Sequence, residues 1–180
     1  MDWSTAIFDV INIRSFSSLW YWIGVAVLWS SLSHWVLGVP FDLISRAKRQ
    51  GGEAEQDLID VVRVNVNRLL SIVDSSATWL IGITFFFVTS LMVLAIYYGV
   101  EFAQALLFMI VPVCGVGVLC VWSARRIRND AEDLQMLFKM LATHRLWTQV
   151  IGMISIFFTA LYGMYHNLKI LMQEMTVPPF

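Results

Sequence analysis

The residues with the chemistry to hold a ligand or move a proton are few in this chain, and they fall inside or beside long apolar runs. His34 and His144 come first. Each lies near a tryptophan, Trp35 or Trp147, at what reads as the same end of its apolar run. Two imidazoles at one depth on facing helices could ligate a haem axially, so His34 and His144 are the candidate cofactor-binding pair. The plainer reading is that histidine is ordinary beside an interfacial tryptophan. Ser30, four residues before His34, is its local partner on one helix face. His166 falls at the opposite end and cannot join the pair. Cys114 and Cys120 are six residues apart, about 240° around a helix, so they cannot meet. They read as small core residues rather than as ligands or a disulfide. The cysteine and histidine spacings of zinc and iron–sulfur sites are absent. Pro112, followed by Gly115 and Gly117, marks a weak point in a helix. A broken helix near the midplane forms the substrate site in some transporters. The expected counterpart break is missing, so a kink fitted to a neighbour is the simpler account. There is no Gly-rich phosphate loop, no Ser–His–Asp pattern and no facing carboxylate pair. The expectation is a protein that is not an enzyme, with no cofactor and no metal.

The elements that must position these residues are four apolar runs, residues 19–39, 78–100, 102–122 and 146–168, each free of Asp, Glu, Lys and Arg. A hydrocarbon core of about 30 Å needs about 20 apolar residues as helix. In lipid the backbone must satisfy its own hydrogen bonds, which favours helices. Composition agrees: 58% of the residues are hydrophobic and 14% charged, where a soluble domain carries about 25% charged. The formal net charge of −1 gives no reason to expect nucleic-acid binding. The first 18 residues lack the basic start of a secretory signal. The expected fold is therefore all-α, one integral membrane domain over residues 1–180 with four transmembrane helices. Uncharged spans argue against ion-coupled transport and voltage sensing, which place ionisable groups within the membrane.

Ten of the twelve Lys and Arg lie in two loops, the first and the third. The positive-inside rule puts both loops in the cytoplasm and both termini in the periplasm. Trp35, Trp79, Trp122 and Trp147 then mark the inner ends of the spans. Trp20, Trp22, Tyr97, Tyr98, Tyr162 and Tyr165 mark outer ends, where amphipathic rings prefer the headgroup layer. Trp3, Ile7, Val10 and Ile11 have helical spacing, which suggests a short interfacial helix over residues 3–13.

Two loops read as helical extensions of spans two and four into the cytoplasm, residues 53–77 and 130–145. In the first, Leu58, Val62, Asn65, Leu69 and Ile72 follow a four-three spacing, a short heptad seam. Asn65 either fixes the register of that seam or faces water beside a neighbouring helix. In the second, Asn129 and Glu132 resemble a capped helix start, and Leu134, Leu137, Leu141 and His144 line one face. The two seams are expected to pack together within one subunit, the alternative being that one meets another protein. Within span four, Gly152, Ser155, Thr159 and Gly163 form a stripe of small residues that lets membrane helices approach closely.

Several tracts resemble a family of small alphaproteobacterial four-span inner-membrane proteins, some members of which are labelled components of an iron–sulfur (Suf) assembly complex. They are residues 16–23, residues 33–40 (Ser33-His34-Trp35-Val36-Leu37-Gly38-Val39-Pro40), residues 46–52, residues 64–70, and His144-Arg145-Leu146-Trp147. The resemblance implies a bacterial inner-membrane setting and defines no reaction. The leading functional expectation is a non-enzymatic structural or assembly subunit of a larger inner-membrane complex, respiratory or photosynthetic. Its partners would be the bilayer and other integral membrane proteins, with a homo-oligomer left open. The alternative is a homo-oligomeric channel or small transporter lined by Ser30, Ser33, Thr84, Thr89 and Ser90. A haem-binding electron-transfer subunit using His34 and His144 is the third.

Overall fold

The computed structural model describes residues 19–130 and 133–176. The arm over residues 3–13, with its expected interfacial helix, lies outside the described residues, as does Glu132. The described chain runs α1 (Leu19–His34), β1 (Trp35–Val36), β2 (Val39–Pro40), α2 (Phe41–Gln50), α3 (Glu53–Ile96), α4 (Glu101–Asp130) and α5 (Leu134–Thr176). Three of these helices, α3, α4 and α5, are long and apolar enough to cross a membrane.

The first apolar run departs from a single helix. It is helical for 16 residues and then turns back as a two-stranded antiparallel hairpin, Trp35 opposite Pro40 and Val36 opposite Val39. The two-residue loop is Leu37-Gly38, with φ of 53° and 76°. Positive φ at both central positions is the pattern of the primed hairpin turn, whose twist suits paired strands. Gly38 adopts it without cost, whereas Leu37 does so at roughly 1–2 kcal/mol. Burial of the Leu37 side chain offsets that strain. The Asn65 amide, on α3, donates to the Gly38 carbonyl at 3.1 Å and fixes the tip.

Gly51 and Gly52 separate α2 from α3. Helix α3 then continues unbroken for 44 residues, joining the first loop segment to the second apolar run. At its end the Val100 amide returns to the Leu94 carbonyl at 3.1 Å, and the chain reverses sharply into α4. Helix α4 runs past Trp122 to Asp130, so Asn129 closes one helix rather than opening the next. The Asp133 carbonyl accepts from the Leu137 amide and opens α5.

The main core sits at one end of the bundle. Val36 and Val39 of the hairpin, Ile44 and Ala47 of α2, Ala124 and Ile127 of α4, and Leu137 and Leu141 of α5 close around α3. On α3 the buried row is Ala54, Leu58, Val62, Val66 and Leu70. That is a strict i+4 ridge, the kind that interdigitates with a neighbouring helix. It replaces the expected four-three seam over part of its length: Leu69 is half-buried and Ile72 is 47% exposed. The basic residues gather at this same end. Arg46 pairs with Asp57 at 3.2 Å and Arg125 with Asp74 at 3.6 Å. Arg145 lays its guanidinium 3.5 Å from the centre of the Phe41 ring and ties α2 to α5.

A smaller apolar cluster, Val25, Trp29 and Val116, lies further along the bundle. It brings α1 against α4 and α5. The indole of Trp29 rests on Gly152, where an added Cβ would lie 2.8 Å from a ring carbon. Helix α3 stands apart from this group. Only 6% of its most apolar stretch is buried, against 28% for α5.

Candidate functional site

The polar groups that the sequence scatters along the chain converge on one face of α5. Leu137, Leu141, His144, Thr148, Gly152, Ser155, Thr159 and Gly163 are all buried, at spacings of three and four residues. The small-residue stripe of the fourth run is thus continuous with the apolar seam at the basic end. Along it lie three polar layers.

The first layer is at the basic end. His144 is 3% exposed. Its Nδ1 shares a hydrogen bond with Ser123 Oγ at 3.0 Å, and its Nε2 lies 3.7 Å from Cys120 Sγ. Both ring nitrogens therefore face α4. His34 is exposed, its ring edge-on to Trp35. The structure does not direct the two histidines at a common point, and this donor set does not fit an axial haem pair. Cys114 stays apart from Cys120, and both are free thiols. Among the described residues no group of three His, Cys, Asp or Glu side chains is placed to hold a metal ion.

The second layer explains Pro112. A proline inside a helix removes the amide that would bond the carbonyl four residues earlier. In α4 that carbonyl belongs to Phe108, and Ser155 Oγ of α5 donates to it at 3.3 Å. Thr159 donates back to the Ser155 carbonyl at 2.7 Å, and Tyr21 of α1 donates to the Ala105 carbonyl at 3.1 Å. Where water is absent, an orphaned carbonyl is costly, and neighbouring Ser or Thr side chains are the usual remedy. Pro112 and Ser155 are therefore one structural unit. Gly115 and Gly117 have open space beside them.

The third layer, at the far end, centres on Gln104, which sequence reasoning did not single out. Its amide donates to the Ala95 carbonyl of α3 at 2.9 Å and accepts from the Tyr162 hydroxyl of α5 at 2.9 Å. One side chain thereby links three helices. Tyr162 stacks on His166, which lies 3.9 Å from the Glu101 carboxylate. The available signal was a glutamine three residues after Glu101, in the first turn of an otherwise apolar helix.

These groups bond one another or the backbone. Of the residues named for a pore lining, Ser30, Thr84 and Thr89 are exposed on α1 and α3, and Ser33 and Ser90 are half-buried. Comparison with protein-family models, curated proteins and solved structures finds no match.

Proposed function

We propose that this chain is a non-enzymatic accessory subunit of a larger bacterial inner-membrane complex, and that it docks there through α3. The observation that carries the reading is the bareness of that helix. From Trp79 to Leu94 no residue of α3 is buried, and Phe85, Phe86 and Phe87 are 68%, 68% and 59% exposed. Consecutive residues are about 100° apart on a helix, so the three rings cover a broad arc. Gly82 beside them is an open notch, with nothing within 4 Å of where a Cβ would be. Small residues beside large ones favour close helix approach in membranes, where van der Waals fit drives association. The opposite half of the same helix is anchored in the best-packed core of the molecule. A rod packed at one end, tied at Ala95 near the other and bare between them is suited to insertion between other subunits.

In this proposal α1 also spans the membrane, beside α3, α4 and α5. Sixteen residues reach about 24 Å at 1.5 Å per residue, and the hairpin completes the crossing. The basic end faces the cytoplasm by the positive-inside rule, and both termini face the periplasm. Orientation is checked by introducing Glu55→Cys or Glu174→Cys into a background without Cys114 and Cys120. A membrane-impermeant thiol reagent applied to intact cells should label position 174 only, and labelling of position 55 would reverse the orientation. Function is tested by purification in mild detergent and identification of co-migrating proteins. A stoichiometric membrane partner supports the reading. A homo-oligomer that conducts ions in proteoliposomes would replace it with the channel.

A further inference from the structure

At the basic end, α4 and α5 leave a recess of about 190 Å³ between them. Its polar lining is Ser123 and Arg126 from α4 with Lys139, Thr143 and His144 from α5, and Trp122 and Trp147 flank it. The two indoles are 53% and 50% exposed. Among the described residues that line the recess there is no carboxylate. Asp130 lies 3.9 Å from Arg126 on the same helix; both side chains are about half exposed, and exposed pairs of this kind are weak. Arg126 also stacks 5.3 Å over Trp122, which holds its guanidinium at the rim. Towards the far end the rim gives way to Leu119 and to Val118, which is 71% exposed.

We infer that this recess binds the phosphate headgroup of an anionic phospholipid, with the acyl chains lying along α4 past Leu119 and Val118. The inference rests on the membrane placement proposed above but not on the partner complex. Three features select that occupant. Two cations with no carboxylate among the described lining residues call for an anion. Paired tryptophans set the recess at headgroup depth, where indoles partition. Basic recesses between membrane helices on the cytoplasmic side are suited to anionic headgroups. Pockets for drug-sized ligands measure about 300–1,000 Å³, so this one holds a headgroup while the chains stay in the bilayer.

The test uses the full chain in zwitterionic detergent, titrated with phosphatidylglycerol or phosphatidylcholine and read by native mass spectrometry. The unmodified protein should retain one phosphatidylglycerol that phosphatidylcholine does not replace. Each lost cation should weaken retention roughly fivefold, so Arg126→Gln with Lys139→Gln should lower it more than tenfold. Lys48→Gln with Arg49→Gln, at the same end but outside the recess, should leave it unchanged. Phosphatidylglycerol should also raise the melting temperature of the unmodified protein more than phosphatidylcholine does, a readout that survives if the double variant fails to fold. Equal retention of both lipids, undiminished retention by the Arg126 and Lys139 variant, or displacement of the lipid by millimolar inorganic phosphate would each overturn the assignment.

Discussion

Replacing Ser155 with alanine separates a packing role from the repair of a broken helix. The Ser155 hydroxyl sits 3.3 Å from the Phe108 carbonyl, a long and therefore modest hydrogen bond. Interhelical bonds of this kind in membrane proteins average about 0.6 kcal/mol and reach about 1.7. Here Pro112 removes the i+4 amide that would otherwise serve this carbonyl, so Ser155→Ala should cost about 1 kcal/mol. Pro112→Ala restores an amide that bonds Phe108 from within α4. In that background Ser155→Ala should cost no more than about 0.3 kcal/mol, leaving a coupling energy of about 0.7 kcal/mol. Interaction energies of about 0.5–3 kcal/mol are typical of residues in one network. The assay is reversible unfolding in mixed micelles, with all four members of the cycle measured together. Equal costs of Ser155→Ala in both backgrounds would refute the link between the two positions and reduce Ser155 to a small residue at a contact.

Gly152→Ala places a methyl group 2.8 Å from the Trp29 ring. It should lower stability by about 1–3 kcal/mol, the usual cost of overpacking, and a companion Trp29→Leu should recover most of the loss in the same unfolding assay. Asn65→Ala removes the only side-chain bond shown to the Gly38 carbonyl among the described residues. A loss of about 0.5–1.5 kcal/mol is expected, with faster amide exchange at the hairpin as the second readout. Leu70 is 1% exposed and Ile72 is 47% exposed, so the two make a matched pair. Leu70→Asp buries an unpaired charge and should abolish the folded state, whereas Ile72→Asp should leave yield and melting temperature nearly unchanged.

Length and the absence of charge made α3, α4 and α5 readable from the sequence. The hairpin was not readable. Residues 35–40 continue an apolar run, and composition alone cannot tell a buried strand from the last turn of a helix. The signals present were the β-branched Val36 and Val39 around Leu37-Gly38, with Pro40 next. They are weak because leucine is a poor residue for positive φ. The seam on α3 was located but mis-phased beyond Val62. Four-three spacing assumes a supercoiled pair, whereas this helix presents its i+4 ridge to the hairpin, α2, α4 and α5 at once. Gly152, Ser155, Thr159 and Gly163 could be read as one face from spacing alone, and all four are buried. What spacing could not show is that Ser155 lies level with Phe108, because relative depth depends on where two helices dock. Gln104 was missed because Tyr162 is 58 residues away and Ala95, nine residues back, comes within reach only through the sharp reversal between α3 and α4.

The claim that the bare half of α3 is a docking surface is tested most directly by site-specific photo-crosslinking in native membranes. Phe86, 68% exposed in the middle of that surface, is replaced by a benzoyl-phenylalanine, with Val118 of α4 replaced in a parallel strain as the lipid-facing comparison. Position 86 should give one discrete, heavier adduct that contains a different membrane protein, and position 118 none of that kind. Adducts from position 86 with lipid alone, or with a second copy of this chain alone, would contradict that claim.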